Sequence, residues 1–136
     1  MEIDVNSTVV NPAKQYQKLD VQTAVADATP HQLIELMFDG ARDRLNQALG
    51  YLDRGDVEGR NRSVNSVVDI VSGLQASLDH EEGGEIAANL ESLYDYMQRR
   101  LYRANTDNDP EALKEVLDLL ETLRSAWAEI GQVSAA

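Results

Sequence analysis

The sequence predicts an all-α protein, an antiparallel up-down four-helix bundle preceded by a flexible N-terminal arm. Three observations predict it. Apolar residues recur with a period near 3.6 in four separate stretches, as helices with one buried face require. The breaks between the stretches are short, and short connections between long helices impose antiparallel neighbours. With Gly 8 and Pro 3 in 136 residues, turn-formers are too few for a many-stranded β protein. The length suits one domain that buries roughly two thirds of its unfolded surface. Hydrophobic residues at 43% supply a core, but aromatics at 5% mean that Leu, Val, Ile, Ala and Met must build it.

Residues 1–28 lack helical periodicity and mix polar residues with single valines, so they read as a mobile arm with scope for a short extra helix around Tyr16. The bundle domain spans 29–131. Its first helix opens at "ATPHQL", where Thr29 suits an N-cap, Pro30 the first helical position and Gln32 the reciprocal partner of a capping box. Leu33, Met37, Ala41, Leu45, Ala48 and Leu52 form its apolar stripe, and "RGD" ends it. The second helix starts near Asp56 and carries Val64, Val67, Val68, Val71, Leu74 and Leu78. The glycine pair at 83–84 breaks the chain, and a third helix runs from Glu85 with Leu90, Leu93, Tyr94, Met97 and Leu101. In "NTDNDPEA" Asp109 and Pro110 signal the start of the fourth helix. That helix carries Leu113, Val116, Leu117, Leu120, Leu123, Trp127 and Ile130, with Gly131 as its stop and 132–136 as a tail.

The charge of −12 argues against nucleic acid, because each neutralised phosphate needs a Lys or Arg, and against adhesion to an anionic membrane. Cysteine is absent, which excludes disulfides and thiolate metal sites. No apolar run approaches the roughly 20 residues that span a bilayer, so no membrane insertion is expected. The acidic "MEIDVNSTVV" has no basic n-region of a secretory signal, which makes a cytoplasmic location the expectation. His31 lies in the first turn of its helix and reads as a solvent-exposed helix-start residue. His80, with Glu81, Glu82 and Glu85, suggests a metal- or phosphoryl-handling bundle as the alternative function. Acidic residues at a helix start equally favour the helix dipole. Di-iron bundles use Glu-x-x-His, but Ala28 and Ser77 stand three residues before the two histidines. No nucleophile-elbow, P-loop or dinucleotide motif occurs. The expectation is therefore no enzyme, no metal and no cofactor.

What the chain does have is a surplus of apolar and aromatic surface. In "LYDYMQRRLYRAN" (93–105), Tyr94, Met97 and Leu101 fall on the core stripe. Tyr96, Arg99, Arg100 and Arg103 share another face, which is either solvated or a partner contact. On the second helix Ser63, Ser66, Ile70, Gly73 and Ser77 make a neutral strip of small residues beside the core stripe. On the fourth, Ala112, Leu119, Thr122, Ala126 and Ile130 widen the apolar arc. One stripe per helix suffices for a four-helix core. The excess points to a protein partner, or to self-association as a homodimer. Ile70, Gly73, Leu119, Ala126, Ile130 and Tyr96 are the candidate contact residues.

Three segments carry a resemblance: "ATPHQLIELMFDGARDRL", "GGEIAANLESLYDYMQRRLYRAN" and "LLETLRSAW". Together they resemble the FliS family, the export chaperones of flagellin, over about residues 16–130. The resemblance implies a helical bundle that binds the disordered C-terminal segment of flagellin and delays its self-assembly. It further implies delivery of the subunit to a component of the flagellar type III export gate. It also implies that Tyr16, which matches a family tyrosine before the first long helix, packs over the client groove.

Overall fold

In the computed structural model, residues 27–135 are described, and they form four helices without a strand. They are α1 (Pro30–Asp53), α2 (Val57–Ala76), α3 (His80–Asp107) and α4 (Pro110–Ala135). Each packs against its neighbour in sequence, and α4 closes the ring against α1. This is the antiparallel four-helix bundle that the periodicity predicts. The N-terminal arm and Tyr16 lie outside the described residues.

Local chemistry sets the helix starts. Thr29 and Gln32 form the reciprocal capping box, with Gln32 N donating to Thr29 Oγ1 (3.1 Å) and Thr29 N to Gln32 Oε1 (2.9 Å). Asp56 Oδ1 accepts from Gly59 N (2.9 Å) at the start of α2, and Asp109 Oδ1 from Glu111 N (3.0 Å) at the start of α4. The third helix begins earlier than the glycine pair suggests. Asp79 caps a first turn by accepting from the amides of Glu81 and Glu82. Gly84, at φ 51° and ψ −121°, then redirects the backbone before the helix resumes. Only glycine adopts that conformation without strain. Asn108, left-handed at φ 53°, closes α3.

The core runs through Met37, Ala41, Leu45 and Ala48 of α1, then Val64, Val67, Val71 and Leu74 of α2. Tyr94, Met97 and Leu101 of α3 and Leu113, Val116 and Leu120 of α4 complete it. Arg60 is buried as well. Its guanidinium donates to the Asn105 carbonyl (3.0 Å) and to the side chains of Asn61 and Asn108, tying the start of α2 to the end of α3. A cation beside the last carbonyls of a helix also complements its dipole.

Two face assignments are corrected. Ile70 is fully buried and Gly73 is buried, so the small-residue strip of α2 is not a free face. A helix in a closed ring touches two neighbours, and its buried arc exceeds the single stripe that a sequence wheel assigns. Ala112 is buried for the same reason. Gly131 is not a stop, because α4 continues to Ala135. His31, expected in solvent, is half-buried and stacked on Trp127 at 4.4 Å between centroids and 7° between planes. The Trp127 Nε1 donates to the His31 carbonyl (2.9 Å). A Cβ at Gly131 would stand 2.2 Å from His31 Nε2, so this glycine leaves room for the stacked imidazole.

Gly131→Ala is therefore expected to destabilise the protein by about 1–3 kcal/mol through overpacking. In a His31→Ala background the sign should reverse, since alanine exceeds glycine in helix propensity by up to about 1 kcal/mol. Thermal melting of the four variants of this cycle measures both values. Equal effects in the two backgrounds would remove the steric role of Gly131.

Candidate functional site

Between the first half of α3 and the last half of α4 the bundle does not close. An apolar groove of about 570 Å³ opens there. Ile34 and Phe38 of α1 and Leu74 and Leu78 of α2 contribute to it from the two other helices. Ile86, Ala87, Leu90 and Tyr94 line it from α3, and Leu123, Ala126, Trp127 and Ile130 from α4. Asp79 and Glu82 are the acidic residues on its border.

The groove follows from how its walls are held. Between the groove and the turn that joins α3 to α4, Glu115 locks the two helices together. It accepts from the Tyr96 hydroxyl at Oε2 (2.6 Å) and from Arg100 Nε at Oε1 (2.7 Å). The Tyr96 bond first, then the guanidinium, holds the Glu115 carboxyl below its usual range, and the same bond raises the Tyr96 phenol. At the far end α4 is docked on α1 instead. There Trp127 stacks on His31, and Arg124 Nε meets Asp39 Oδ1 (2.9 Å). The start of α3 is redirected at Gly84, and His80 Nε2 pairs with Glu91 Oε1 (3.0 Å) across that kink.

Two large apolar side chains on the walls face water, Ile86 at 72% exposure and Ile130 at 53%. Exposed side chains of this size beside a concave apolar surface make the groove the candidate functional site. Of the residues singled out in the sequence, Ala126 and Ile130 line the groove. Leu119 is half-buried against the core, away from the groove lining. Ile70 and Gly73 are inside the bundle, and Tyr96, in the middle of α3, is engaged with Glu115 outside the groove lining. The sequence reading missed Ile86, whose one signal was an isoleucine just after the glycine pair and off the α3 stripe. Ile34, Phe38, Leu90, Leu123 and Trp127 also belong to the site. Leu90, Leu123 and Trp127 hold stripe positions indistinguishable from core until the helices are placed, and Ile34 and Phe38 lie beside the α1 stripe, where the sequence reading did not single them out.

Among the described residues no three His, Asp or Glu side chains converge as a metal would require. No described helix is long and apolar enough to cross a membrane.

The family profile "Flagellar protein FliS" matches residues 12–134. The chain is 48% identical to the flagellar secretion chaperone FliS of Salmonella typhimurium, over 86% of this chain and 87% of that one. It is 43% identical to the flagellar secretion chaperone FliSB of Pseudomonas aeruginosa, over 84% and 90% of the two chains. The Bacillus subtilis flagellar secretion chaperone FliS is 31% identical over 89% and 86%.

Tyr94 sits at the base of the groove, and burial pushes its phenol up to about 12. A group raised on folding stabilises fully below its unfolded pKa near 10, and that contribution is lost as pH rises towards 12. The alkaline loss from this side chain amounts to roughly 2–3 kcal/mol. Denaturant titrations between pH 9 and pH 12 should therefore show a shallower decline for Tyr94→Phe than for the parent. Parallel declines would remove Tyr94 as the cause.

Proposed function

Because the chain belongs to the FliS family of flagellar secretion chaperones, we propose that it binds the disordered C-terminal segment of flagellin in the cytoplasm. It thereby delays flagellin self-assembly and delivers the subunit to the flagellar type III export apparatus. The observation that carries this reading is the open α3–α4 groove with Ile86 and Ile130 exposed on its walls.

A disordered segment is a suitable client for such a surface. It folds onto the chaperone as it binds, presenting one apolar stripe at i, i+3, i+4 and i+7 to the groove. Burial of that stripe contributes about 25 cal/mol per Å² of apolar area, offset by the entropy lost when the segment orders. The same offset keeps the complex dissociable, which a chaperone that hands its client onward requires. Sequestering the segment's apolar side chains removes the surface through which client molecules would assemble. No catalytic step is involved.

The test is calorimetric titration with a flagellin C-terminal segment. Ile86→Asp and Ile130→Asp each place a carboxylate where the client stripe must pack. Burying an unpaired charge costs several kcal/mol, so affinity should fall by about 100-fold or more. Both residues are exposed, so melting temperatures should stay within the range of ordinary surface substitutions. Undiminished affinity in both variants would place the client elsewhere.

A further inference from the structure

We propose that the α3–α4 groove selects a client segment whose apolar stripe is flanked by lysine or arginine, and that Asp79 and Glu82 set this preference. The selectivity rests on the reading of the groove as a client site and adds a charge requirement to it. The apolar groove is the binding surface, and the carboxylates on its border decide which side chains can flank the stripe that enters it.

The charged residues that line the groove are Asp79 and Glu82, and both are acidic. They are exposed at the start of α3, where its first turn borders the groove. Glu81 and Glu85 stand beside them in the chain, and no Lys or Arg occurs between Arg62 and Arg99. On the opposite wall, the charged residues of α4 from Leu123 onward are Arg124 and Glu129. Arg124 already donates to Asp39 of α1 through Nε (2.9 Å) and Nη2 (3.5 Å). His80 is paired with Glu91 at 3.0 Å. No cation in the groove lining therefore balances Asp79 and Glu82.

Helix capping uses part of this charge and leaves the rest. Asp79 Oδ1 accepts from the amides of Glu81 (3.1 Å) and Glu82 (3.0 Å), while Oδ2 has no hydrogen bond among the described residues. The Glu82 carboxylate has no partner among them either. A helix start carries about half an elementary positive charge, whereas Asp79, Glu81 and Glu82 each bring a full negative one. The surplus is negative. It lies beside an apolar surface, where a charge pair is stronger than in bulk water. Lysine and arginine suit such a border, because the aliphatic stem extends the apolar contact while the head reaches the carboxylates. An acidic flank meets like charge with no cation to relieve it. Screening over about 8–10 Å makes the border carboxylates count for more than the charge at the distant end of the bundle.

The probes are fluorescein-labelled amphipathic helical peptides with leucines at i, i+3, i+4 and i+7, flanked at both ends by lysines, glutamines or glutamates. Anisotropy titration against the full chain should rank them lysine, glutamine, glutamate, with about tenfold between first and last at low salt. Ile86→Asp should weaken all three, which places them in the groove. Asp79→Asn combined with Glu82→Gln keeps the cap, since asparagine caps a helix as well as aspartate, and should bring the lysine-to-glutamate ratio within about threefold. Asp53→Asn combined with Glu58→Gln changes the net charge equally at the other end of the bundle and should leave the ratio unchanged. Glu82→Lys should weaken the lysine peptide and strengthen the glutamate one. Melting curves check that each variant folds. Absence of peptide binding, equal binding of the three peptides, or a ratio lowered as much by the distant pair as by the border pair would overturn the selectivity. So would a dimer in sedimentation velocity that Ile86→Asp dissociates, since a second copy then fills the groove. A flagellin C-terminal segment titrated in parallel separates the two readings. If it binds with Ile86 dependence while the three peptides bind equally, the selectivity fails and the client stands. If it does not bind while the lysine peptide does, with Ile86 and Glu82 dependence, the client fails and the selectivity stands.

Discussion

The far half of α4 is docked on α1 rather than on α3, and the shape of the protein depends on that docking. Trp127 makes the contact in two ways, stacking its indole on His31 and donating its N–H to the His31 carbonyl. Gly131, one turn further on, has no side chain where the imidazole lies. Because α4 is held there, and α3 is redirected at Gly84, the two helices that are locked at Glu115 part towards their other ends. The groove is what their parting leaves.

This arrangement separates stability from binding along the length of the molecule. The end of the bundle around Arg60, Asn105 and Asn108 is tied by polar contacts across α2 and α3, and Glu115 ties α3 to α4 near the same end. The groove end is linked across α1 and α4 by Trp127 and Arg124, and it exposes Ile86 and Ile130. A substitution at Ile86 or Ile130 acts on an apolar surface already in water, so it changes what the surface can bind more than whether the bundle folds. The chain belongs to the family of flagellar secretion chaperones, and the client binding proposed for it would use that combination of a stable scaffold and an unfinished core.

The outward face of α3 uses a different chemistry. The groove is apolar with an acidic border, whereas the face around Arg99 and Tyr102 combines arginines, their paired carboxylates and two tyrosines. Two carboxylates from the same chain hold arginines in place there without consuming their full donor capacity. Exposed pairs of that kind contribute little to stability. Their main consequence is to fix where the guanidiniums stand.

The sequence by itself determined the features that rest on local chemistry. Periodicity near 3.6 separates the four helices, and Thr29 with Gln32, Asp56 and Asp109 mark their starts, because capping bonds reach only two or three residues along the chain. The segments around the glycine pair, the "LYDYMQRRL" run and the late tryptophan were enough to suggest the family. Tertiary structure alone decided which apolar residues are core and which are wall. Ile70 looks peripheral on a wheel yet is fully buried, since α2 has two neighbours in the ring. Trp127 and Leu90 look like core yet line the groove, since the opposing helix has moved away from them. Gly131 reads as a stop, but the reason for a glycine there stands on α1, a hundred residues earlier in the chain. Burial depends on the distance to the next helix, and that distance is set by contacts that no single stripe contains.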